Sequence, residues 1–180
     1  MARRLSGQLL VASPTIGDPT FARTVVLVVD HDRDGALGIV LNRPTETTVE
    51  AVVPDIAPMF VADDVVHDGG PVQPESLLTV GEFRDPADAA LLVLGRVGMV
   101  RGDEDPRCPD VDRARAYAGY AGWAPDQLDD ELAASDWLVV PAQPDDLFRP
   151  DADLLWHRAL ERMGGAYARL ALVPEDPSVN

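Results

Sequence analysis

Short runs of apolar and β-branched residues recur along the chain, and Asp, Gly or Pro ends most of them. Runs of this length between turn residues predict strands. The polar segment 30–35, between two such runs, predicts a hairpin. A short apolar run at residues 8–12 comes first, and the predicted strands after it are residues 21–29, 36–41, 77–80, 89–94, 114–123 and 136–140.

Helical signals are fewer. Residues 125–134 begin with a proline and place two leucines four positions apart, as one face of a helix requires. Residues 151–163 carry an apolar face, with Asp151 as the predicted N-cap and two glycines directly after the segment. Residues 48–53 are a third, shorter helical candidate. Residues 101–112 are rich in acids and prolines and predict a solvated, mobile loop.

Tight turns join the predicted strands as often as helices do, so strand and helix do not alternate regularly. This order favours an α+β fold with a largely antiparallel, β-rich centre, barrel-like or built from two sheets, and with helices packed outside. A length of 180 residues fits one domain over residues 1–180, and we expect residues 174–180 to form a disordered tail.

Composition narrows the classes of function. Hydrophobic residues make up 46% of the chain, and 31 acidic residues against 15 basic ones give a formal net charge of -16. Every basic residue is an arginine, which excludes a catalytic lysine, a Schiff base and a P-loop. The negative charge argues against direct nucleic-acid binding. No apolar run approaches the about 20 residues of a membrane span, so we expect a cytoplasmic protein without membrane contact.

No combination of residues identifies a reaction. His31, His67 and His157 are far apart in sequence, and the acidic turn at residues 30–35 lacks the closing glutamate of a calcium loop. Cys108 lies among acids that disfavour its thiolate. We therefore predict no metal, no cofactor and no catalytic residue, and we favour a protein that is not an enzyme.

Two turns contain residues suited to binding. Asn42 and Arg43 follow a predicted strand, and an arginine can bind an anion through two hydrogen bonds. Gly69 and Gly70 permit a tight turn whose exposed N–H groups would form an anion-binding nest. These four residues are the predicted ligand-binding site. Ordinary turn chemistry with an internal arginine–carboxylate pair is the alternative, and the sequence does not decide between them.

Several motifs follow one another in a specific order: GQLLVASP at 7–14, DPTFARTVV at 18–26, GALGIVLNRP at 35–44, GGPV at 69–72, GYAGWAPDQL at 119–128, DWLVV at 136–140 and LW at 155–156. Through them the chain resembles the YqgE/AlgH family of bacterial proteins over nearly its whole length. The resemblance implies an α+β fold with a β-rich centre and outer helices. It also implies a link to transcriptional regulation. The family brings no established reaction, cofactor or catalytic residue to this chain.

Two features depart from the pattern of that family. Ala124 and Asp126 stand where the family usually has glycine, and the acidic segment 101–112 is particular to this chain. The tryptophans of the motifs, Trp123, Trp137 and Trp156, are expected to anchor the core or a subunit contact, because large aromatic side chains dominate burial.

These observations leave two main hypotheses of function. The first is a non-enzymatic regulatory or protein-interaction module, acting through an unknown protein partner or as a homo-oligomer. The alternative is a protein that binds, or acts on, a small anionic metabolite through Arg43, Asn42 and the turn at Gly69 and Gly70. Direct DNA binding ranks third, since the arginines are dispersed along the chain.

Overall fold

The structure, a computed structural model, describes residues 4–102 and 109–172. The strands are β1 Gln8–Ala12, β2 Val25–Asp32, β3 Gly35–Val40, β4 Pro44–Thr48, β5 Val65–Asp68, β6 Val72–Phe83, β7 Leu91–Leu94, β8 Val97–Met99, β9 Val111–Trp123 and β10 Trp137–Pro141. The helices are α1 Val49–Val52, α2 Gln127–Ala133, α3 Pro144–Phe148, α4 Leu155–Met163 and α5 Gly165–Leu170, and 3-10 turns occur at Ala57–Met59, Pro86–Asp88 and Ala152–Leu154.

The strands join into one sheet in the order β10-β1-β2-β3-β9-β6-β8-β7, with β4 and β5 attached beside β9. The pairs are antiparallel except for β5 with β9. The predicted α+β fold with a largely antiparallel sheet is therefore confirmed. The barrel-like alternative is wrong, because β10 and β7 stand at the two ends of the strand order and do not pair with each other in the described chain, so the sheet is open.

Strand β9 organises the sheet because it is long enough to contact three partners. Its last residues pair with β3, the rest pairs with β6, and His67 of β5 lies parallel beside Tyr117. Gly119 has a φ of 71° and Gly70 a φ of 142°, and a side chain on either would clash with the backbone of the other segment or its neighbour. Glycine is required there by both conformation and space.

Two apolar clusters cover the two faces of the central strands. Along β2, Val25 and Leu27 belong to the cluster under helix α4, whereas Val26 and Val28 belong to the cluster under helix α2. This alternation explains why β2 is apolar at almost every position, since both of its faces are buried. The expected core role of the tryptophans holds, with exposures of 7%, 5% and 1% for Trp123, Trp137 and Trp156.

Two predicted elements have different starts, each for a local reason. Strand β2 begins at Val25 because Thr24 closes a turn with Phe21, whose carbonyl accepts from the Thr24 N–H and hydroxyl. The predicted helix at 151–163 opens as a 3-10 turn, and Asp151 makes no capping hydrogen bond to it. Its carboxylate instead accepts from Arg149 and Arg158.

Five short elements are not predicted from the pattern: β4, β5, β8, α3 and α5. None of them exceeds six residues, which is too short for a periodic signal. The predicted loop at 101–112 is described only in part, because residues 103–108, with Cys108, lie outside the described residues. Its predicted end is wrong, because Val111 and Asp112 belong to β9. The predicted tail at 174–180 also lies outside them. Within the described chain, every helix is too short or too polar to cross a membrane.

Candidate functional site

Asn42, the first predicted ligand-binding residue, forms hydrogen bonds with the backbone at the start of β2. Its Oδ1 accepts from the Val25 N–H at 2.8 Å, and its Nδ2 donates to the Arg23 carbonyl at 2.8 Å. The residue is only 9% exposed. The side chain thus replaces a strand partner at the start of β2, and both of its polar ends are committed to backbone groups.

Gly69 and Gly70 lie against β9. The Gly69 N–H donates to the Ala118 carbonyl at 2.8 Å, and the Gly70 N–H donates to the Asp68 carboxylate at 3.1 Å. The two donors of the predicted nest therefore already have acceptors within the fold. The Gly69 carbonyl in turn accepts from the Val40 N–H at 2.9 Å, which fixes this turn beside β3.

Arg43 connects the two predicted turns. Its carbonyl accepts from the Asp68 N–H at 2.8 Å, so the structure brings Asn42 and Arg43 next to the glycine turn, as a shared site requires. The Arg43 side chain is half-buried and donates to the Pro19 carbonyl at 3.1 Å. Of the four predicted residues, Arg43 has the most side-chain N–H groups and a less buried side chain than Asn42, so the predicted anion site depends on it.

A concavity lies at the opposite end of β9. It is an open groove of about 440 Å³, which we call the Arg115 groove. Pro58, Met59, Phe60 and Val61 line it together with Asp64, Phe148 and the start of β9 from Pro109 to Arg115. The side chain of Val61 is 80% exposed there. The groove therefore combines an apolar wall with a strand that carries charged residues.

Arg115 forms the floor of this groove and is only 7% exposed. Its Nη1 donates to the Arg149 carbonyl at 2.9 Å and lies 3.3 Å from Nε2 of His67. Its Nη2 lies 3.9 Å from Oδ1 of Asp64, too far for a hydrogen bond. The Nε atom is buried and has no hydrogen-bond partner in the described chain. Arg115 is thus a buried charge that its neighbours compensate only in part.

His67 and Tyr117 lie beneath Arg115 on neighbouring strands, with ring centroids 5.7 Å apart. His67 contacts the Val65 carbonyl through Nδ1 at 3.2 Å, which leaves Nε2 as the acceptor facing Arg115. Burial, and then the charge of Arg115, lower the pKa of His67 to about 4. Burial raises the pKa of Tyr117. Both side chains are therefore neutral near pH 7, and the Tyr117 hydroxyl has no hydrogen-bond partner in the described chain.

The other charges of the groove are more fully paired. Arg113 donates to Glu82 at 2.8 Å and to Asp145 at 2.7 Å, and its guanidinium lies 4.7 Å from the centre of the Phe148 ring. The Asp112 carboxylate accepts from two arginines outside the groove, which lowers its pKa. Arg115 is therefore the cation of the groove with the most unused hydrogen-bonding capacity.

A second concavity, of about 280 Å³, lies on the face with helix α2 and is lined by Phe21, Trp137 and several carboxylates. Glu131 lines this concavity and accepts hydrogen bonds from the indole N–H groups of Trp123 at 2.8 Å and Trp137 at 2.7 Å. This carboxylate ties the two tryptophans to helix α2, so its role in the structure is to hold the fold.

Arg115 and Tyr117 are not among the predicted binding residues, although the sequence predicts a strand at residues 114–123. One signal was available. Residues 113, 115 and 117 alternate with alanines at 114, 116 and 118, which places an arginine on a face of β9 beside a large aromatic. The contact with His67 spans 48 positions and has no local signature. Within residues 4–102 and 109–172, no three His, Cys, Asp or Glu residues gather as metal ligands.

Comparison with known proteins finds similar sequences over nearly the whole chain. The sequence model of DUF179, described as AlgH-like, matches residues 9–168. A UPF0301 protein of Streptomyces coelicolor is 42% identical over 184 residues, covering 98% of this chain and 95% of its own length. A UPF0301 protein of Mycolicibacterium smegmatis is 41% identical over 182 residues, with 97% and 90% covered.

Two solved structures share the fold. The crystal structure of a Corynebacterium diphtheriae protein superposes with a TM-score of 0.85 at 29% identity, covering 95% of this chain and 93% of that one. The solution structure of AlgH from Pseudomonas aeruginosa superposes with a TM-score of 0.73 at 28% identity, covering 98% and 97%. The similarity therefore extends over nearly the whole chain in both sequence and structure.

Proposed function

The chain belongs to the AlgH-like DUF179 family, and we propose that it works as a non-enzymatic regulatory module that holds a segment of a partner protein in the Arg115 groove. One observation carries the proposal: a partly compensated, buried arginine lies at the floor of an open groove whose wall is apolar. Open grooves that combine apolar contacts with a few oriented donors suit extended peptide segments.

The apolar wall supports a peptide more than a compact metabolite. Val61 exposes 80% of its surface beside Phe60 and Met59, and the ring of Phe148 lines the same groove. An exposed apolar wall beside a strand can contact the side chains of a bound segment along its length. Binding would bury this wall and leave the rest of the acidic surface in solvent.

Peptide selection tests this proposal. Random peptides displayed on phage are selected on the immobilised full chain, and the enriched peptides are then titrated against Val61→Glu and Leu172→Glu. The two replaced side chains are similarly exposed, at 80% and 78%, but only Val61 lines the groove. We expect Val61→Glu to weaken binding at least about tenfold, since a carboxylate in the apolar wall would be desolvated on binding. Failure to enrich any peptide, or equal weakening by both variants, contradicts the proposal.

A small-anion site at Asn42, Arg43, Gly69 and Gly70 is the second candidate, and the half-buried guanidinium of Arg43 is the observation that supports it. Thermal-shift measurements with nucleotides and phosphorylated metabolites test it. Stabilisation that disappears in Arg43→Ala would support this candidate. If those compounds stabilise the wild type and Arg43→Ala equally, or stabilise neither, it is excluded.

A further inference from the structure

Arg115 has an unused hydrogen-bonding edge. A guanidinium carries five N–H groups, and the two on Nη1 point to the Arg149 carbonyl and to His67. Within the described chain Nε has no partner, and the carboxylate nearest Nη2 is that of Asp64 at 3.9 Å. At this edge Nη2 can donate a charge-assisted hydrogen bond to a carboxylate.

We infer that this edge of Arg115 receives an acidic side chain of the bound segment, an Asp or Glu that stands next to a large apolar residue. The inference rests on the proposed function, because it names the chemistry that the groove recognises. A nearly buried guanidinium without full hydrogen bonding is costly, and an incoming carboxylate supplies an acceptor for Nη2. Nε is enclosed by neighbouring atoms, so the carboxylate bonds to Nη2 and not to Nε.

The surroundings of Arg115 favour a singly charged carboxylate over a phosphate. Asp64 already lies 3.9 Å from Nη2 and would repel any anion that shares the guanidinium. That repulsion grows with the charge of the ligand, so a dianionic phosphate is disfavoured more than a carboxylate. His67 adds no second cation to offset it, because its Nε2 faces Arg115 as an acceptor.

The apolar neighbour of the acidic side chain has its own contact surface. Phe60 and Val61 line the groove, and Phe148, which also lines it, packs against the guanidinium of Arg113. A large apolar side chain beside the acid would bury part of these surfaces. The recognised element is therefore a pair of residues, one acidic and one apolar.

Chemical-shift titration of the ¹⁵N-labelled full chain tests this pairing. The probes are the acetylated dipeptide amides Ac-Phe-Glu-NH₂ and Ac-Phe-Gln-NH₂, which differ in charge but hardly in size, together with phenyl phosphate. We expect the Glu probe to shift the amides of Ala114 and Arg115 and to bind about tenfold tighter than the Gln probe, the difference that one charge-assisted hydrogen bond provides. Phenyl phosphate should bind more weakly than the Glu probe.

Two substitutions of neighbouring acids provide a matched pair. Asp64→Asn removes the carboxylate that competes for Arg115, whereas Asp63→Asn changes the net charge equally at an exposed position that does not line the groove. We expect Asp64→Asn to tighten the Glu probe several-fold and Asp63→Asn to change it by less than about twofold. Arg115→Gln should abolish the preference for Glu over Gln, provided that its spectrum stays folded.

The outcomes separate the two proposals. If both dipeptides bind in the groove equally, the interaction module survives and the role of Arg115 is excluded. Equal effects of Asp64→Asn and Asp63→Asn also exclude it, even if Arg115→Gln does not fold. If phenyl phosphate binds more tightly than the Glu probe, the ligand is a phosphate and the inference is overturned. If no probe shifts the groove and no peptide is enriched on phage, the proposed function itself fails.

Discussion

The buried imidazole of His67 should make the stability of the fold depend on pH. The residue is 2% exposed, and its Nε2 lies 3.3 Å from Nη1 of Arg115. Burial and the adjacent guanidinium both oppose a second positive charge, and they lower the pKa of His67 from 6.5 to about 4. Acidification from pH 7.5 to pH 4 is therefore the perturbation that probes this cluster.

The magnitude follows from proton linkage. Above pH 6.5 His67 is neutral in both the folded and the unfolded chain and contributes no pH dependence. Between pH 6.5 and about 4 only the unfolded chain binds the proton, so the free energy of unfolding falls as the pH falls. A difference of about 2.5 pKa units corresponds to a loss of about 3 kcal/mol, complete near pH 4. Below that pH the folded protein binds the proton too, and the contribution levels off.

Urea unfolding at several pH values between 7.5 and 4 measures this loss in the wild type and in His67→Gln. Glutamine does not titrate, and its amide oxygen can still accept from Arg115. We expect the difference between the two stabilities to shift by about 3 kcal/mol in favour of the variant as the pH falls. Asp151, whose pKa is lowered to about 2, acts mainly at lower pH and is common to both proteins. Parallel pH profiles of the wild type and His67→Gln would refute the reasoning.

Three further variants and one control test how the fold is held together, each by urea unfolding. Gly70→Ala should cost about 3 kcal/mol, because the added Cβ meets β9, whereas Gly95→Ala, at φ 56° with open space around it, should cost only about 1 kcal/mol. Equal costs would contradict this close approach. Asn42→Ala should cost about 2 kcal/mol by removing its hydrogen bonds to two backbone groups, and a negligible loss would contradict that structural role. Glu131→Gln should cost about 1–2 kcal/mol and shift tryptophan fluorescence, since the carboxylate accepts from two indoles; unchanged values would exclude that anchoring role.

The sequence pattern predicts the sheet better than the small elements around it. The antiparallel pairing of β2 with β3 confirms the predicted hairpin. The sequence predicts it because two continuous apolar runs flank an acidic turn. Strand β8 has three residues, one of them Gly98, and so presents no alternation to read. Helix α3 has five residues and is set by Pro144 at its start and by the Asp146 carboxylate, which accepts from the Gln143 N–H. Such elements depend on tertiary packing more than on their own periodicity.

The candidate site shows a similar division. The sequence predicts Asn42 and Gly70 as binding residues from their residue types. In the structure, Nδ2 of Asn42 donates to a backbone carbonyl, and the Gly70 N–H donates to the neighbouring Asp68 carboxylate. Residue type alone cannot reveal this, because a polar group that satisfies the backbone looks the same in sequence as one that binds a ligand. Arg115 did not stand out, since its burial depends on His67 and Arg149, 48 and 34 positions away.

The excess of acid and the buried arginine act on different distance scales. A net charge of -16 repels any acidic partner at long range, but salt screens it beyond about 8 Å under physiological conditions. Arg115 acts within hydrogen-bonding distance, in a setting that screens less. A polyanion such as nucleic acid meets the repulsion along its whole length and gains little from one arginine. A short segment with a single carboxylate meets far less of it and can use the full contact. The same charge that argues against nucleic acid therefore agrees with the proposed preference of the groove for weakly acidic, largely apolar segments.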